Sequence, residues 1–227
     1  MATSHRPFKI FWNENFKHIV FVNNDPIVFL DMDGVLADFF GAFSNFAKVK
    51  HWKDLGPSEL MQTMDAIKGS DFFGTIPKTW CCDELISMVT GFSGSYSILS
   101  SPLEGDEENC AYWKKVWIQN NLNPGPSDIF IDRDKGKYAL YQNKSNILID
   151  DRPHNIKAWE NEGGIAIRFQ ANQDQLGVIE EVFKSIKKKI GSMELTRINL
   201  DLFYSTPQKP IIVVVPDLFF VYQPTVT

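Results

Sequence analysis

Residues 26–40 read PIVFLDMDGVLADFF. An apolar run is followed directly by two carboxylates, Asp31 and Asp33, and then by Gly34. Two like charges this close repel each other, and near the end of a strand they are partly removed from water. Either a positive group lies between them or the stretch is a solvated surface turn. The remainder of the chain decides between these alternatives.

Length, charge and cysteine content narrow the class of protein. The chain has 227 residues, a net charge of −5 and 44% hydrophobic residues, which is typical of one globular core domain with an insertion or extra terminal segments. The acidic balance predicts no long nucleic acid and no anionic membrane as partner. Three cysteines without metal-binding spacing predict buried thiols in a reducing compartment, here the cytoplasm. The sequence shows neither a signal peptide nor a membrane span.

Five short apolar runs share one design. Each is rich in β-branched and aromatic residues without alternation, as in strands that are buried on both faces. They occupy residues 26–30, 95–99, 128–131, 146–149 and 164–169. Helical patterns lie between them at residues 78–91 (closed by Gly91), 106–121, 153–163 and 176–190. This alternation predicts an α/β fold, a Rossmann-like parallel sheet with helices on both faces, whose ligands bind at the carboxyl ends of the strands.

Three segments lie outside this simple alternation. Residues 39–49 and 57–69 look helical and are too many for one crossover, so we expect them to form a small helical cap above the site. The segments before residue 25 and after residue 191 are additional. Within them, the apolar runs 16–22 and 210–215 are expected to pair as edge strands.

Charged and polar residues follow the predicted strands at one edge of the sheet. They are Asp31, Asp33, Ser100, Lys135, Asp150 and Asp151. Four carboxylates and one lysine cannot share a dry pocket without more positive charge. Mg²⁺ would supply it, because this ion takes one or two carboxylates, keeps several waters and binds together with phosphates. The sequence therefore predicts a magnesium site.

Each residue type suits phosphoryl transfer. Asp31 could act as nucleophile towards phosphorus, and Asp33, two residues later, could protonate the leaving oxygen and later activate water. Gly34 permits a tight turn that brings backbone amides to an anion. Ser100 offers a hydroxyl to a phosphoryl oxygen, and Lys135 supplies fixed positive charge to the transition state.

Other interpretations exist for each motif alone. An Asp-x-Asp-Gly stretch also occurs in calcium loops, but Val35, Ala37 and Phe39 cannot supply the further ligands that calcium needs. The pair at residues 150–151 could cap the helix that begins near Pro153. The order of all the motifs along the chain favours the catalytic interpretation.

The motif DMDGVLADF, followed at strand spacing by ILSSP, DRDK and ILIDDRP, resembles the haloacid dehalogenase (HAD) superfamily of phosphohydrolases. More narrowly, residues 26–170 are similar to the 5'(3')-deoxyribonucleotidases, including FFGTIPK at 72–78. The sequence pattern and the resemblance together predict a core of residues 26–38 and 78–191 and a cap of residues 39–77. The unmatched segments are an N-terminal extension 1–25 and a C-terminal extension 192–227, whose apolar runs predict β structure.

The resemblance also implies roles. Asp31 would be the nucleophile and Asp33 the acid and base. Mg²⁺ would be held by Asp31, Asp33 (through its backbone carbonyl) and Asp151, supported by Asp150. Phosphate would be bound by Ser100, Ser101, Lys135 and Gly34, and the nucleobase by Phe39, Trp52 and Phe72. The chain departs from the family where Ser100 and Asp132 replace threonines and where Ile67 replaces a cap aromatic.

The expected function is Mg²⁺-dependent hydrolysis of nucleoside monophosphates through an aspartyl-phosphate. The expected partner is a small-molecule nucleotide, with no membrane and no long nucleic acid, and the terminal extensions could form a homodimer contact. One alternative is a HAD phosphatase for another small phosphate ester or for a nucleic-acid end. A less favoured alternative is a binding protein that has kept a HAD core.

Overall fold

The computed structural model describes residues 26–188 in full and, outside them, four strands at residues 8–11, 20–23, 212–215 and 218–221. The chain divides into two compact units. One is residues 26–180, and the other combines residues 1–25 with residues 181–227.

The strands are numbered here in chain order. They are β1 (Phe8–Phe11), β2 (Val20–Asn23), β3 (Val28–Leu30), β4 (Ser97–Ser100), β5 (Ile129–Ile131), β6 (Leu140–Tyr141), β7 (Lys144–Ser145), β8 (Ile147–Asp150), β9 (Ile165–Arg168), β10 (Ile212–Val215) and β11 (Leu218–Val221). Strands β6 and β7 form a small antiparallel hairpin.

Strands β3, β4, β5, β8 and β9 form one parallel sheet in the order β5-β4-β3-β8-β9. Leu30 of β3 lies opposite Ile98 of β4 on one side and Ile149 of β8 on the other. All three side chains are fully buried, because helices cover the sheet. The predicted α/β fold with a parallel sheet is therefore confirmed. The central position of β3 places the end of the first motif between the ends of β4 and β8.

The terminal strands pair differently from the prediction. Strand β1 pairs with β2, and β10 pairs with β11, each as a local antiparallel hairpin. The expectation that the apolar runs 16–22 and 210–215 form edge strands is wrong, since the five-stranded sheet contains neither. A hairpin closes a short loop and costs less chain entropy than pairing with a distant strand.

The helices are α1 (Phe39–Phe46), α2 (Pro57–Ala66), α3 (Phe72–Thr75), α4 (Cys82–Ser93), α5 (Glu107–Asn121), α6 (Pro153–Asn161) and α7 (177–188), with 3₁₀ turns at Trp52–Asp54 and Gly136–Tyr138. Helix α4 ends at Gly94 and not at the predicted Gly91. Gly94 adopts a left-handed conformation with φ of 76° and donates its N–H to the carbonyl of Thr90, as a C-terminal cap requires. Within the part of the chain that the structure describes, no helix is both long and apolar enough to cross a membrane.

The segment of residues 39–77 begins and ends at adjacent points of the fold. The N–H of Asp38 donates to the carbonyl of Pro77 at 2.8 Å, and the N–H of Thr79 donates to the carbonyl of Leu36 at 2.8 Å. Helix α3 packs against α5, where the side-chain amide of Asn109 donates to a carbonyl of the cap, that of Ser70, at 2.9 Å. Residues 39–77 are thus attached to the rest of the fold at their two ends and along helix α5.

The three cysteines, Cys81, Cys82 and Cys110, are free and buried, as the sequence predicts for thiols. Burial raises the pKa of each thiol, that of Cys82 to about 12. Thiols with raised pKa values stay protonated and react poorly, so a structural role in the core suits them.

Candidate active site

The carboxyl ends of three adjacent strands, β3, β4 and β8, bring the predicted residues together. Asp31 follows β3, Ser100 ends β4, and Asp150 ends β8. Because these strands are parallel neighbours, their ends meet at one edge of the sheet. Lys135, from the loop after β5, reaches the same place, and its side chain is buried. The structure therefore assembles four segments of the chain into one polar cluster.

Lys135 lies between two carboxylates. Its Nζ is 2.6 Å from Oδ2 of Asp150 and 3.0 Å from Oδ1 of Asp31. Asp150 also accepts hydrogen bonds from the amide of Asn155, at 3.0 Å to each oxygen, and from the backbone N–H of Arg152 at 2.8 Å. Both oxygens of Asp150 are thus engaged within the protein, and the arrangement suits it to orient Lys135.

Some carboxylate oxygens of the cluster lack a full set of hydrogen-bond donors. Oδ1 of Asp33 is buried and accepts no hydrogen bond from the described residues, and Oδ1 of Asp31 is met only by Nζ of Lys135, which it shares with Asp150. Asp31, Asp150 and Asp151 each present an oxygen such that the three lie within 4.8 Å of one another. Buried acceptors without donors are costly unless a cation meets them.

The electrostatics of this cluster show a deficit of positive charge. Burial, and then the charges of Asp31 and Asp150, raise the pKa of Asp151 to about 8. Burial and the charge of Asp31 also raise the pKa of Asp150. Burial acts in the same direction on Asp31, but Lys135 and Lys114 outweigh it and hold the pKa of Asp31 below its usual value. One hard divalent cation with oxygen ligands would balance the cluster, so the residues fit Mg²⁺.

Lys114 is a site residue that sequence reasoning missed. It is buried in helix α5, and its Nζ donates to Oδ2 of Asp33 at 2.7 Å, to Oγ of Ser100 at 2.9 Å and to the carbonyl of Ser101 at 2.8 Å. The ammonium group also lies 5.0 Å from the ring centroid of Phe73 in the cap. Its sequence signal is a lysine on the same helical face as Cys110 and Trp117, a face that is otherwise apolar.

Gly34 sits in a turn that only glycine suits. Its φ is +77°, its N–H donates to the carbonyl of Ala37 at 2.8 Å, and its carbonyl accepts from the N–H of Ala171 at 2.8 Å. A Cβ on this residue would lie 2.8 Å from Cε2 of Phe40 and 3.2 Å from Oδ2 of Asp151. The backbone at Gly34 therefore lies so close to the ring of Phe40 and the carboxylate of Asp151 that a side chain at this position would collide with Phe40.

Thr79 and Trp80, which follow residues 39–77 in the chain, support this turn through hydrogen bonds. The buried hydroxyl of Thr79 lies 2.9 Å from the carbonyl of Val35 and 3.2 Å from that of Leu36. The indole N–H of Trp80 donates to the carbonyl of Ala171 at 2.7 Å. Neither residue stands out in the sequence, because their partners lie far away along the chain.

Ser101 was predicted to bind phosphate beside Ser100. Its backbone carbonyl accepts from Lys114, but its hydroxyl lies 3.5 Å from the carbonyl of Asp132, at the limit of a hydrogen bond. The Ser100 hydroxyl is the one that lies next to Lys114. Phosphate binding by Ser101 remains a prediction.

The predicted base-binding residues occupy two places in the cap. Phe39 stacks on Phe43 at 5.4 Å and meets the ring of Phe72 edge-on at 6.0 Å, within an aromatic cluster. Trp52 instead stacks on Phe40, with ring centroids 5.5 Å apart, and its buried Nε1 has no hydrogen-bond partner among the described residues. Because Phe40 covers Gly34, the Phe40–Trp52 pair is the aromatic surface that adjoins the carboxylates. The sequence did not point to Phe40.

The comparisons with known proteins give one relative by sequence and several by structure. No protein-family model matches the chain. A curated protein of Bordetella pertussis, named "Putative 5'(3')-deoxyribonucleotidase", is 30% identical over 145 residues, which cover 56% of this chain and 74% of that protein. A hydrolase from Streptococcus pneumoniae TIGR4 is 12% identical, with a TM-score of 0.43 over 67% of this chain and 97% of that chain. A HAD-family enzyme from Bacteroides thetaiotaomicron, solved as a magnesium complex, is 16% identical, with a TM-score of 0.39 over 68% of this chain and 98% of that chain.

Proposed function

The chain belongs to the haloacid dehalogenase (HAD) superfamily of hydrolases, in the same family as the Bordetella pertussis protein, and from this membership we propose that it hydrolyses nucleoside monophosphates to nucleoside and phosphate. The observation that carries the proposal is the cluster of buried carboxylates that faces two buried lysines at the edge of the sheet. Such a cluster suits a phosphoryl group and a metal ion together.

The chain offers a set of oxygen ligands for Mg²⁺. Asp31, Asp151 and the backbone carbonyl of Asp33 would hold the ion, and Asp150 would support them through Lys135. When bound, the ion would neutralise charge on the phosphoryl oxygens and orient the group for in-line displacement.

The first step forms a covalent intermediate on the protein. A carboxylate oxygen of Asp31 attacks phosphorus, the ester bond between phosphorus and the leaving oxygen breaks, and its electron pair goes to that oxygen. Asp33, in its protonated form, gives the leaving oxygen a proton. Lys114, Lys135 and Ser100 bind the phosphoryl oxygens, where fixed positive charge stabilises the transition state most.

The second step releases phosphate. The Asp33 carboxylate takes a proton from a water molecule as the water oxygen attacks phosphorus, and the bond to Asp31 breaks. This restores Asp31 as a carboxylate and Asp33 as an acid. Because Lys114 contacts both Asp33 and Ser100, it can hold the acid and the phosphoryl-binding hydroxyl in one arrangement during both steps.

The preference for nucleotides is supported by the cap and by the name of the relative. Residues 39–77 bring the half-buried ring of Phe40 next to Gly34, and an aromatic ring at this place suits stacking on a nucleobase. A cap over the site also excludes water from the reaction. We further propose that the substrate is a free nucleotide in the cytoplasm.

The test is phosphate release from a panel of nucleoside 5'- and 3'-monophosphates and sugar phosphates, with Mg²⁺ and with EDTA. We expect turnover of nucleotides that needs Mg²⁺ and is lost in Asp31→Asn. The matched control is Asp83→Asn, which removes an exposed carboxylate that is paired with Lys78 outside the site. Equal turnover of sugar phosphates would refute the nucleotide preference, and no phosphate release from any ester would refute the activity.

A further inference from the structure

A pocket of about 210 Å³ adjoins the candidate active site on the core. It is lined by residues from three loops and by the start of helix α6. The lining includes Ser101, Arg133, Lys135, Arg152, His154 and Asn155. Lys135 belongs to both the pocket and the carboxylate cluster, so a group in the pocket would lie next to the phosphoryl site.

Arg152 differs from the other arginines that the structure describes. Arg133 lies 3.0 Å from Glu107, and Arg168 lies 2.5 Å from Asp174. Within residues 26–188, no carboxylate lies within ion-pair distance of Arg152. Its backbone N–H is fixed by Asp150 at 2.8 Å, and its charge acts to lower the pKa of Asp151. Arg152 is therefore an exposed, unpaired guanidinium that is anchored beside the cluster.

Among the described residues that line the pocket, Arg152 is the main cation that is not paired with a carboxylate. Lys135 is neutralised by its two carboxylates. Arg133 is half exposed and paired with Glu107 at 3.0 Å and with Glu104 at 3.5 Å. Such exposed pairs contribute little and separate easily, so this arginine can also turn to a ligand. Asp134 is the one carboxylate in the lining among the described residues, and His154 is exposed.

We propose that this pocket binds a second phosphate of the substrate, through the guanidinium of Arg152 with that of Arg133 assisting. Guanidinium groups bind phosphate through two parallel hydrogen bonds, which favours phosphate over a neutral group. The proposal rests on the proposed function and names its substrate class: a nucleoside that carries a phosphate on both the 5' and the 3' oxygen. The same chemistry would also be offered by the phosphodiester of a phosphorylated dinucleotide.

The test measures binding without turnover. In the full-length Asp31→Asn variant, isothermal titration compares a nucleoside 3',5'-bisphosphate, the matching 5'-monophosphate and a 5'-phosphorylated dinucleotide. We expect the bisphosphate to bind about ten-fold more tightly than the monophosphate, or about 1.4 kcal/mol. Adding Arg152→Gln should remove this preference. The matched control, Lys157→Gln, removes an exposed positive charge from the same helix outside the pocket and should leave the preference intact.

The outcomes separate this inference from the proposed function. A dinucleotide that matches or exceeds the bisphosphate supports the pocket and identifies the diester as the source of the phosphate. Equal affinity for bisphosphate and monophosphate overturns the inference, as does a preference that survives Arg152→Gln or is lost equally in Lys157→Gln. If no nucleotide binds and wild-type protein hydrolyses none, it is the proposed function that has failed.

Discussion

Binding of Mg²⁺ should release a proton, because the carboxyl group of Asp151 is protonated at neutral pH in the metal-free protein. Burial and the neighbouring carboxylates raise its pKa to about 8, and an ion can bind only to its carboxylate form. At pH 7 the ion should displace about 0.9 proton from a group with a pKa of about 8, and at pH 9 about 0.1. Apparent affinity for Mg²⁺ should therefore fall about ten-fold for each pH unit below 8 and level off above it.

The assay is isothermal titration with Mg²⁺ in buffers of different ionisation enthalpy, since the slope against that enthalpy gives the number of protons released. The Asp151→Asn variant should bind the ion weakly and release almost no proton at pH 7. Asp83→Asn should behave like the wild type. A proton release near zero at pH 7 in the wild type, or the same affinity at pH 6 and pH 8, would refute the charge deficit that we infer for the cluster.

The same group affects folding stability without metal. The folded-state pKa of Asp151, about 8, exceeds its ordinary value of 3.8, so the folded protein holds a proton that the unfolded chain has lost. The stabilisation from that proton is fully present below the unfolded value and is lost as the pH rises through the folded one. Chemical unfolding in EDTA should therefore show lower stability at pH 8 than at pH 5, and Asp151→Asn should reduce the difference.

Three further substitutions test the surroundings of the site. Lys114→Met should lower kcat about 10²- to 10³-fold, because Asp33 loses its buried cation and the phosphoryl group loses a donor; phosphate release measures this, and an unchanged rate in a folded variant would refute the role. Gly34→Ala should cost about 1–3 kcal/mol of unfolding free energy, since φ is +77° and the new methyl meets Phe40; urea unfolding measures it. Thr79→Val should cost about 1–3 kcal/mol by removing a buried donor from two carbonyls, whereas Thr79→Ser should retain most of the stability, and equal losses would argue against the hydrogen bonds.

The parallel sheet was predictable because its three central strands, β3, β4 and β8, are fully buried. Full burial selects continuous apolar runs, which are visible in one sequence, and the predicted strands differ from the observed ones by one or two residues at their ends. The end of helix α4 was not predictable in the same way. Gly91 and Gly94 look alike in the sequence, and only the fold shows that Gly94 takes the left-handed conformation.

The site was predictable where its residues follow strands and hidden where they come from a helix. Strand ends converge by topology, so Asp31 and Asp150 could be placed together. Lys114 contributes from helix α5, and its burial is stabilised by partners that lie far away in the sequence, among them Asp33, 81 positions earlier in the chain. Phe39 and Phe40 are adjacent in the sequence, and the rotation of helix α1 decides which ring faces Gly34.

Residues 39–77 leave and re-enter the rest of the fold at hydrogen-bonded neighbours. Because Asp38 and Pro77 are hydrogen-bonded neighbours, the ends of the core remain closed whatever length of chain lies between them. The positions of Asp31 and of the sheet therefore do not depend on the length of the segment between these two residues. Variation in the length and sequence of residues 39–77 can thus accumulate while the strand ends that carry Asp31 and Asp150 keep their places.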